Sequence, residues 1–192
     1  MRLCVFCGSA AGVSPSYATA AKELGRLLAA RSIGLVYGGG NVGLMGVVAD
    51  AVLAAGGEAI GVIPRALVDR ELAHPGLTEC IVVETMHTRK QCMHDLSDGF
   101  IALPGGYGTL DELFEALTWS QLGMHQKPCG LLDVDGFYGL LRTFIEHQRT
   151  EGFLRPEHAA MLLYADDAAA LIDALGAYRA PVVPKWTGAR EG

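Results

Sequence analysis

The sequence contains no uninterrupted apolar run approaching the about 20 residues that a membrane-crossing helix requires, so no transmembrane segment is expected. It also lacks any long run of lysine or arginine, and its formal net charge is -6. A nucleic-acid backbone or an anionic membrane is therefore a poor main partner, and a small ligand is expected instead. Cysteine is sparse and odd in number, five in 192 residues, with no signal-peptide pattern. That combination points to free thiols in a reducing, cytoplasmic compartment. Internal repeats and low-complexity segments are absent too. What remains is 51% hydrophobic and 19% charged, enough apolar side chain for a two-sided core. We read residues 1–180 as a single domain. Residues 181–192, with two prolines, charges and glycines, read as a C-terminal extension that is mobile or docked on a partner.

Short apolar runs alternate regularly with helical spacing. Leu3–Cys7, Leu35–Tyr37, Ala59–Ile63, Cys80–Val83, Phe100–Leu103, Gly130–Val134 and Met161–Tyr164 read as strands. Tyr17–Ala30, Leu44–Ala55, His87–Leu96, Thr109–Leu122, Tyr138–Thr150 and Asp167–Tyr178 read as helices, with Gly or Pro near most ends. Strands this short and continuously apolar fit a parallel sheet buried on both faces. The fold class predicted is therefore doubly wound α/β, a Rossmann-like parallel sheet of about seven strands with helices on both faces. Ligands bind such sheets beyond the carboxyl ends of the strands, and the glycine-rich turns Gly38–Gly46 and Gly105–Gly108 both follow strands.

The most informative stretch is Leu103-Pro104-Gly105-Gly106-Tyr107-Gly108-Thr109-Leu110-Asp111-Glu112. It joins an apolar strand to a helix through glycines, whose backbone N–H groups can cradle a phosphate, and it sets a carboxylate one turn further on. Thr109-x-x-Glu112 equally fits a capping box that would only tie down the helix start. Met86, Arg89, Lys90 and Met93 share one helical stripe. Two readings stand for its cations: they line the cleft and neutralise phosphate, or they snorkel to water and pair with Asp95 or Asp98. Gly38-Gly39-Gly40-Asn41-Val42-Gly43 matches G-x-G-x-x-G formally. Glu58, however, begins the next strand instead of ending it, so we read a second glycine wall rather than a dinucleotide site. Cys7-Gly8-Ser9 adds polar backbone to the same opening. Cys4-x-x-Cys7 on a strand points its thiols to opposite sides, and His87, Cys92 and His94 match no common zinc spacing. His125 and Trp119 read as packing or interface residues.

Gly38-Gly39-Gly40, Met86-His87-x-Arg89-Lys90, Pro104-Gly105-Gly106-Tyr107-Gly108-Thr109-x-x-Glu112 and Thr118-Trp119-x-Gln121-Leu122-Gly123 together resemble the LONELY GUY (LOG) family. The resemblance runs from Cys7 to about Tyr178. It implies hydrolysis of the N-glycosidic bond of cytokinin riboside 5'-monophosphates, and of AMP, to free base and ribose 5-phosphate, with no cofactor and no metal. It implies a catalytic pair, Arg89 and Glu112, and substrate contacts from Glu71, Arg89, Lys90, Gly106, Tyr107, Gly108, Thr109, Leu110, Asp111, Glu112 and Thr118. Asp111 stands where many relatives carry Glu. A homodimer with sites completed near the subunit interface is implied as well. The rival from another class is a non-catalytic nucleotide- or cofactor-carrier of the same fold, which has no need of both Arg89 and Glu112. A lysine decarboxylase is a second rival and would require pyridoxal phosphate on a lysine.

Overall fold

A computed structural model describes residues 1–68 and 73–181. Seven parallel strands form one sheet: β1 (Arg2–Phe6), β2 (Gly34–Tyr37), β3 (Ala59–Pro64), β4 (Glu79–Val83), β5 (Gly99–Ala102), β6 (Cys129–Leu132) and β7 (Leu162–Ala165). The helices between them are α1 (Pro15–Ala30), α2 (Gly43–Ala54), α3 (Arg65–Val68), α4 (Met86–Asp95), α5 (Tyr107–Gln121), α6 (Gly139–Thr150), α7 (Pro156–Ala159) and α8 (Ala168–Ala177). The strand order is β4-β3-β2-β1-β5-β6-β7. The chain builds outward from β1 in one direction, then returns through α4 to pair β5 on the other side of β1, in the register Cys4 with Phe100 and Val5 with Ile101. The topological switch therefore lies between β1 and β5, where the outgoing loops diverge and leave a crevice.

Period-two alternation divides the core. Leu3, Val5 and Leu35 belong to the layer that packs with Leu24 and Leu28 of α1, Val48 of α2 and Leu171 of α8. Cys4, Phe6 and Val36 belong to the opposite layer, with Met93 of α4, Leu113 of α5 and Ile145 of α6. Both faces of the central strands are thus covered, which is why their sequences read as unbroken apolar runs. β4 is an edge strand and is only partly covered: Glu79, Cys80 and Val82 are exposed.

All seven expected strands and all six expected helices are present, with ends shifted by one or two residues. Two single-turn helices, α3 and α7, were not legible in the sequence; four residues carry too little periodicity. One boundary shift has chemical weight. α5 starts at Tyr107 with Gly106 as its N-cap, not at Thr109.

Two loops meet over the crevice. The Gly8 N–H donates to the Pro104 carbonyl at 3.1 Å, and the Leu44 N–H at the start of α2 donates to the Gly8 carbonyl at 3.0 Å. This crossing is so close that Gly43, at φ +59, faces the Ser9–Ala10 peptide with no room for a side chain. A Gly43→Ala chain should lose at least about 2 kcal/mol of stability, from left-handed backbone strain and the collision together. In a domain of this size that reads as a fall of about 4–8 °C in melting temperature by calorimetry.

Candidate active site

The capping-box reading of Thr109 and Glu112 fails on helix phase. With Gly106 as N-cap, Thr109 is the third helical residue and Glu112 the sixth, beyond reach of the N-terminal amides. The first turn closes with Leu110 N–H donating to Gly106 C=O at 3.2 Å. The N–H groups of Tyr107, Gly108 and Thr109 precede that bond, and a glycine cap offers them no side-chain acceptor. By contrast, Ser14, Thr85 and Asp167 cap α1, α4 and α8 with side-chain oxygens. The α5 terminus is thus left open to an anion, as a phosphate cradle requires. Thr109 is buried and its hydroxyl fills the space where a Gly105 side chain would be, so Gly105 has to lack one. Beside this terminus a recess of about 300 Å³ is lined by Gly8–Gly12, Tyr17, Leu44, Pro104–Gly106 and Phe137. Among the described residues no charged side chain lines it.

Across the strand ends, Arg89 of α4 reaches over the sheet. Its Nε donates to the Val62 carbonyl of β3 at 3.0 Å, and its Nη1 donates to Glu112 Oε1 at 3.0 Å. Both side chains are only 11% exposed, so this is a buried charge pair spanning two helices. Arg89 Nη2 lies against Gly38, where any side chain would collide with it. Lys90, the next residue, donates from Nζ to Glu115 at 2.8 Å and to Asp111 at 3.2 Å, both on α5. The alternative pairing with Asp95 or Asp98 is not the one formed. Burial alone would lower the Lys90 pKa, but the hydrogen bonds to Glu115 and Asp111 outweigh it and raise the pKa above the usual lysine value. Burial pushes the Glu112 pKa up, and the nearby Arg89 charge only partly opposes that.

The structure therefore brings Arg89, Lys90, Asp111 and Glu112 together at the carboxyl edge, next to the open backbone of Gly106, Tyr107, Gly108 and Thr109. Leu110 is partly buried under the same turn, and the Tyr107 ring is 94% exposed. Thr118 is not brought to this cluster by its own chain. It lies on another face of α5, in a groove of about 160 Å³ with Phe114, Gln121 and His158. Glu71 lies outside the described residues. Gly38 forms the glycine wall read from the sequence, whereas Glu115 and the Val62 carbonyl are the site components that sequence reasoning missed. Glu115 was accessible in principle, one helical turn from Glu112, whereas a backbone carbonyl leaves no sequence signal.

Among the described residues no three His, Cys, Asp or Glu side chains are placed to hold a metal ion. His94 instead stacks on Phe100 at 5.2 Å, with Trp119 and His125 against it, in the seam below the charge pair. This agrees with the packing role read for Trp119 and His125. Pyridoxal phosphate does not fit either: Lys90, the lysine at the site, is held protonated by two carboxylates and is not available as a free amine.

Residues 45–175 match the family model described as "Possible lysine decarboxylase". The chain is 49% identical over 178 residues to the cytokinin riboside 5'-monophosphate phosphoribohydrolase LOG5 of Arabidopsis thaliana, covering 93% of this chain and 78% of that protein. It is 51% identical over 177 residues to LOG7 of the same plant, which carries the same functional name, covering 92% and 82%. Among solved structures, a molybdenum cofactor binding protein from Rippkaea orientalis superposes with a TM-score of 0.69 at 24% identity, covering 92% of this chain and 95% of that one. The Moco carrier protein of Chlamydomonas reinhardtii gives 0.69 at 23%, with the same coverage. These likenesses to carriers show a shared fold.

The raised Glu112 pKa has a thermodynamic consequence. Between the ordinary glutamate pKa of about 4.3 and the raised folded value, the folded chain holds more protons than the unfolded one. Stability contributed by this group therefore falls as pH rises through that window. In Glu112→Gln the dependence disappears, so the melting temperature of the variant relative to wild type should climb between pH 4 and pH 7, by about 2–4 °C per kcal/mol. A relative decline over the same range would mean that Arg89 outweighs burial.

Proposed function

The chain belongs to the LOG family of cytokinin riboside 5'-monophosphate phosphoribohydrolases, and from that premise we propose that it cleaves the N-glycosidic bond of these nucleotides at the Arg89–Glu112 site. Its members are N-glycosyl hydrolases, and this protein is one. The observation that carries the site assignment is a buried carboxylate held by an arginine next to an uncapped helix N-terminus. AMP falls within the proposed substrate range, because nothing in the phosphate cradle depends on the base.

In the proposed reaction the amides of Tyr107, Gly108 and Thr109 hold the 5'-phosphate, with Lys90 and Arg89 as nearby cations. The bond from C1' to the base nitrogen breaks with its electron pair departing on the base, and positive charge develops on the ribose ring. The Glu112 carboxylate stabilises that charge and takes a proton from the water that adds to C1', and one proton passes on through solvent to the departing base, so that Glu112 is regenerated and only water is consumed. Guanidinium does not give up its proton near neutral pH, so Arg89 acts by charge, orienting the nucleotide and holding Glu112 in place. The carrier reading explains the fold and the cradle but gives no use for a buried carboxylate paired with arginine.

We also propose a cytoplasmic homodimer. Thr118 faces away from its own chain's Glu112, on a groove edged by exposed Phe114, with exposed Phe144 on neighbouring α6. A second copy seated there would bury these rings. The five cysteines are free, as a reducing compartment requires. Light scattering should show a dimer, and Phe144→Asp should shift it towards monomer.

Offered AMP, isopentenyladenosine monophosphate and the corresponding nucleosides, the protein should release ribose 5-phosphate and free base from the nucleotides and react poorly with the nucleosides. Glu112→Gln should still bind nucleotide while losing at least about 100-fold in turnover. Unchanged turnover in that variant would remove Glu112 from the chemistry.

A further inference from the structure

The wall against which Arg89 rests is itself held by a residue far from the charge pair. Gly38, Gly39 and Gly40 follow β2, and none has a side chain to anchor it. The anchor comes from the turn after residue 72. The His74 backbone N–H donates to the Gly39 carbonyl at 2.9 Å, and Ala73 and Gly40 form an antiparallel bridge. Tyr37 Oη donates to the Gly40 carbonyl at 3.2 Å. Both glycine carbonyls are thereby tied back into the chain, so their negative ends are occupied beside a cleft that receives an anion.

The His74 imidazole fixes this turn. Its side chain is 5% exposed, yet both ring nitrogens are satisfied. The Gly76 N–H donates to Nδ1 at 3.1 Å, so Nδ1 is an acceptor and the proton resides on Nε2. Nε2 then donates to Asp50 Oδ1 at 3.0 Å. Asp50 lies on α2, the helix that begins where the glycine loop ends. The ring thus joins α2 to the 73–76 turn, and the Gly38–Val42 segment is clamped between them.

We infer that His74, oriented by Asp50, is a positioning residue for the hydrolysis: it holds the Gly38–Gly40 wall in the place that sets the Arg89 guanidinium against Glu112. The inference rests on the hydrolase reading. Arg89 has one hydrogen bond to Val62 and one to Glu112, and Gly38 is the surface that stops its remaining nitrogen from swinging. A wall that drifts by a fraction of an ångström releases that stop, and misplacement on this scale is costly to a reaction that depends on alignment.

The test is steady-state hydrolysis of a nucleoside 5'-monophosphate by the full chain, with melting temperatures measured in parallel. His74→Ala should lower kcat about tenfold while KM moves less than about threefold. Asp50→Asn, which keeps an acceptor oxygen for Nε2–H, should retain wild-type kcat, and Asp50→Ala should fall severalfold. Val48→Ala, a cavity in the core under α2, serves as the control: it should lower the melting temperature and leave kcat unchanged. A folded His74→Ala with wild-type kcat overturns the inference, as does a Val48→Ala that loses kcat in proportion to stability. If His74→Ala fails to fold, the exposed Asp50 decides: wild-type kcat in Asp50→Ala overturns the inference, and loss restored in Asp50→Asn upholds it. A wild-type chain without turnover would remove the hydrolase reading and this role together, whereas wild-type turnover with indifferent variants removes this role alone.

Discussion

Everything at the carboxyl edge of the sheet depends on one constraint: Arg89 and Glu112, on different helices, must both be buried, and neither tolerates burial alone. An isolated charge in such a place carries a desolvation cost of several kcal/mol, and each side chain here offsets part of the other's. The pair therefore fixes the distance between α4 and α5 and with it the mouth of the cleft. Burial still leaves Glu112 less acidic than an ordinary glutamate. A carboxylate that is costly to ionise in the empty site has more to gain from positive charge appearing beside it, which is the change that glycosidic cleavage produces.

Around this pair the polar groups are arranged by reach. Lys90 stands one residue further along α4 and meets Glu115 and Asp111, so a second set of charges closes the seam between the same two helices. Below them the seam turns aromatic, with His94, Phe100, Trp119 and His125 in mutual contact. Burial lowers the His125 pKa to about 4, and its Nδ1 accepts from the Lys127 N–H, so the ring is neutral at physiological pH. Arg89 and Lys90 stand above this aromatic cluster, and Lys127 meets it from its own side, its Nζ donating to the His94 carbonyl at 2.7 Å. A larger cavity of about 580 Å³ opens at the opposite, amino-terminal edge of the sheet, but its Arg2 and Glu58 already satisfy one another and it lacks any comparable chemistry.

Much of this was legible because it is local. The alternation of apolar runs with helical spacing is a property of neighbouring residues, so all seven strands could be placed to within one or two residues. The glycine turn before Glu112 likewise announces itself, since backbone approach to an anion needs residues without side chains in one short stretch. The charges of α4 were harder. Their shared stripe with methionines was visible, but the pattern fits both a snorkelling pair and a cleft lining, and the carboxylates close in sequence are Asp95 and Asp98, not the Asp111 and Glu115 that Lys90 meets. The α5 cap shows the same limit: Thr109-x-x-Glu112 has the spacing of a capping box, and only the position of the first helical residue rejects it.

By itself the sequence determined the class of fold, the edge at which a ligand binds and the residue types available there, because periodicity and turn chemistry act within about ten residues. Only the tertiary structure decided who meets whom. The resemblance paired Glu112 with Arg89, but the direct hydrogen bond between them and the failure of the capping box follow only from an α5 that begins at Tyr107, since three residues of helix rotate a side chain by most of a turn. Thr118 could not be placed away from the pair, nor His74 behind the glycine wall, before strand order put β3, β2, β1 and β5 side by side. Contacts between residues 20 or more apart in the chain depend on helix phase and sheet order jointly, and neither quantity is carried by any one segment of sequence.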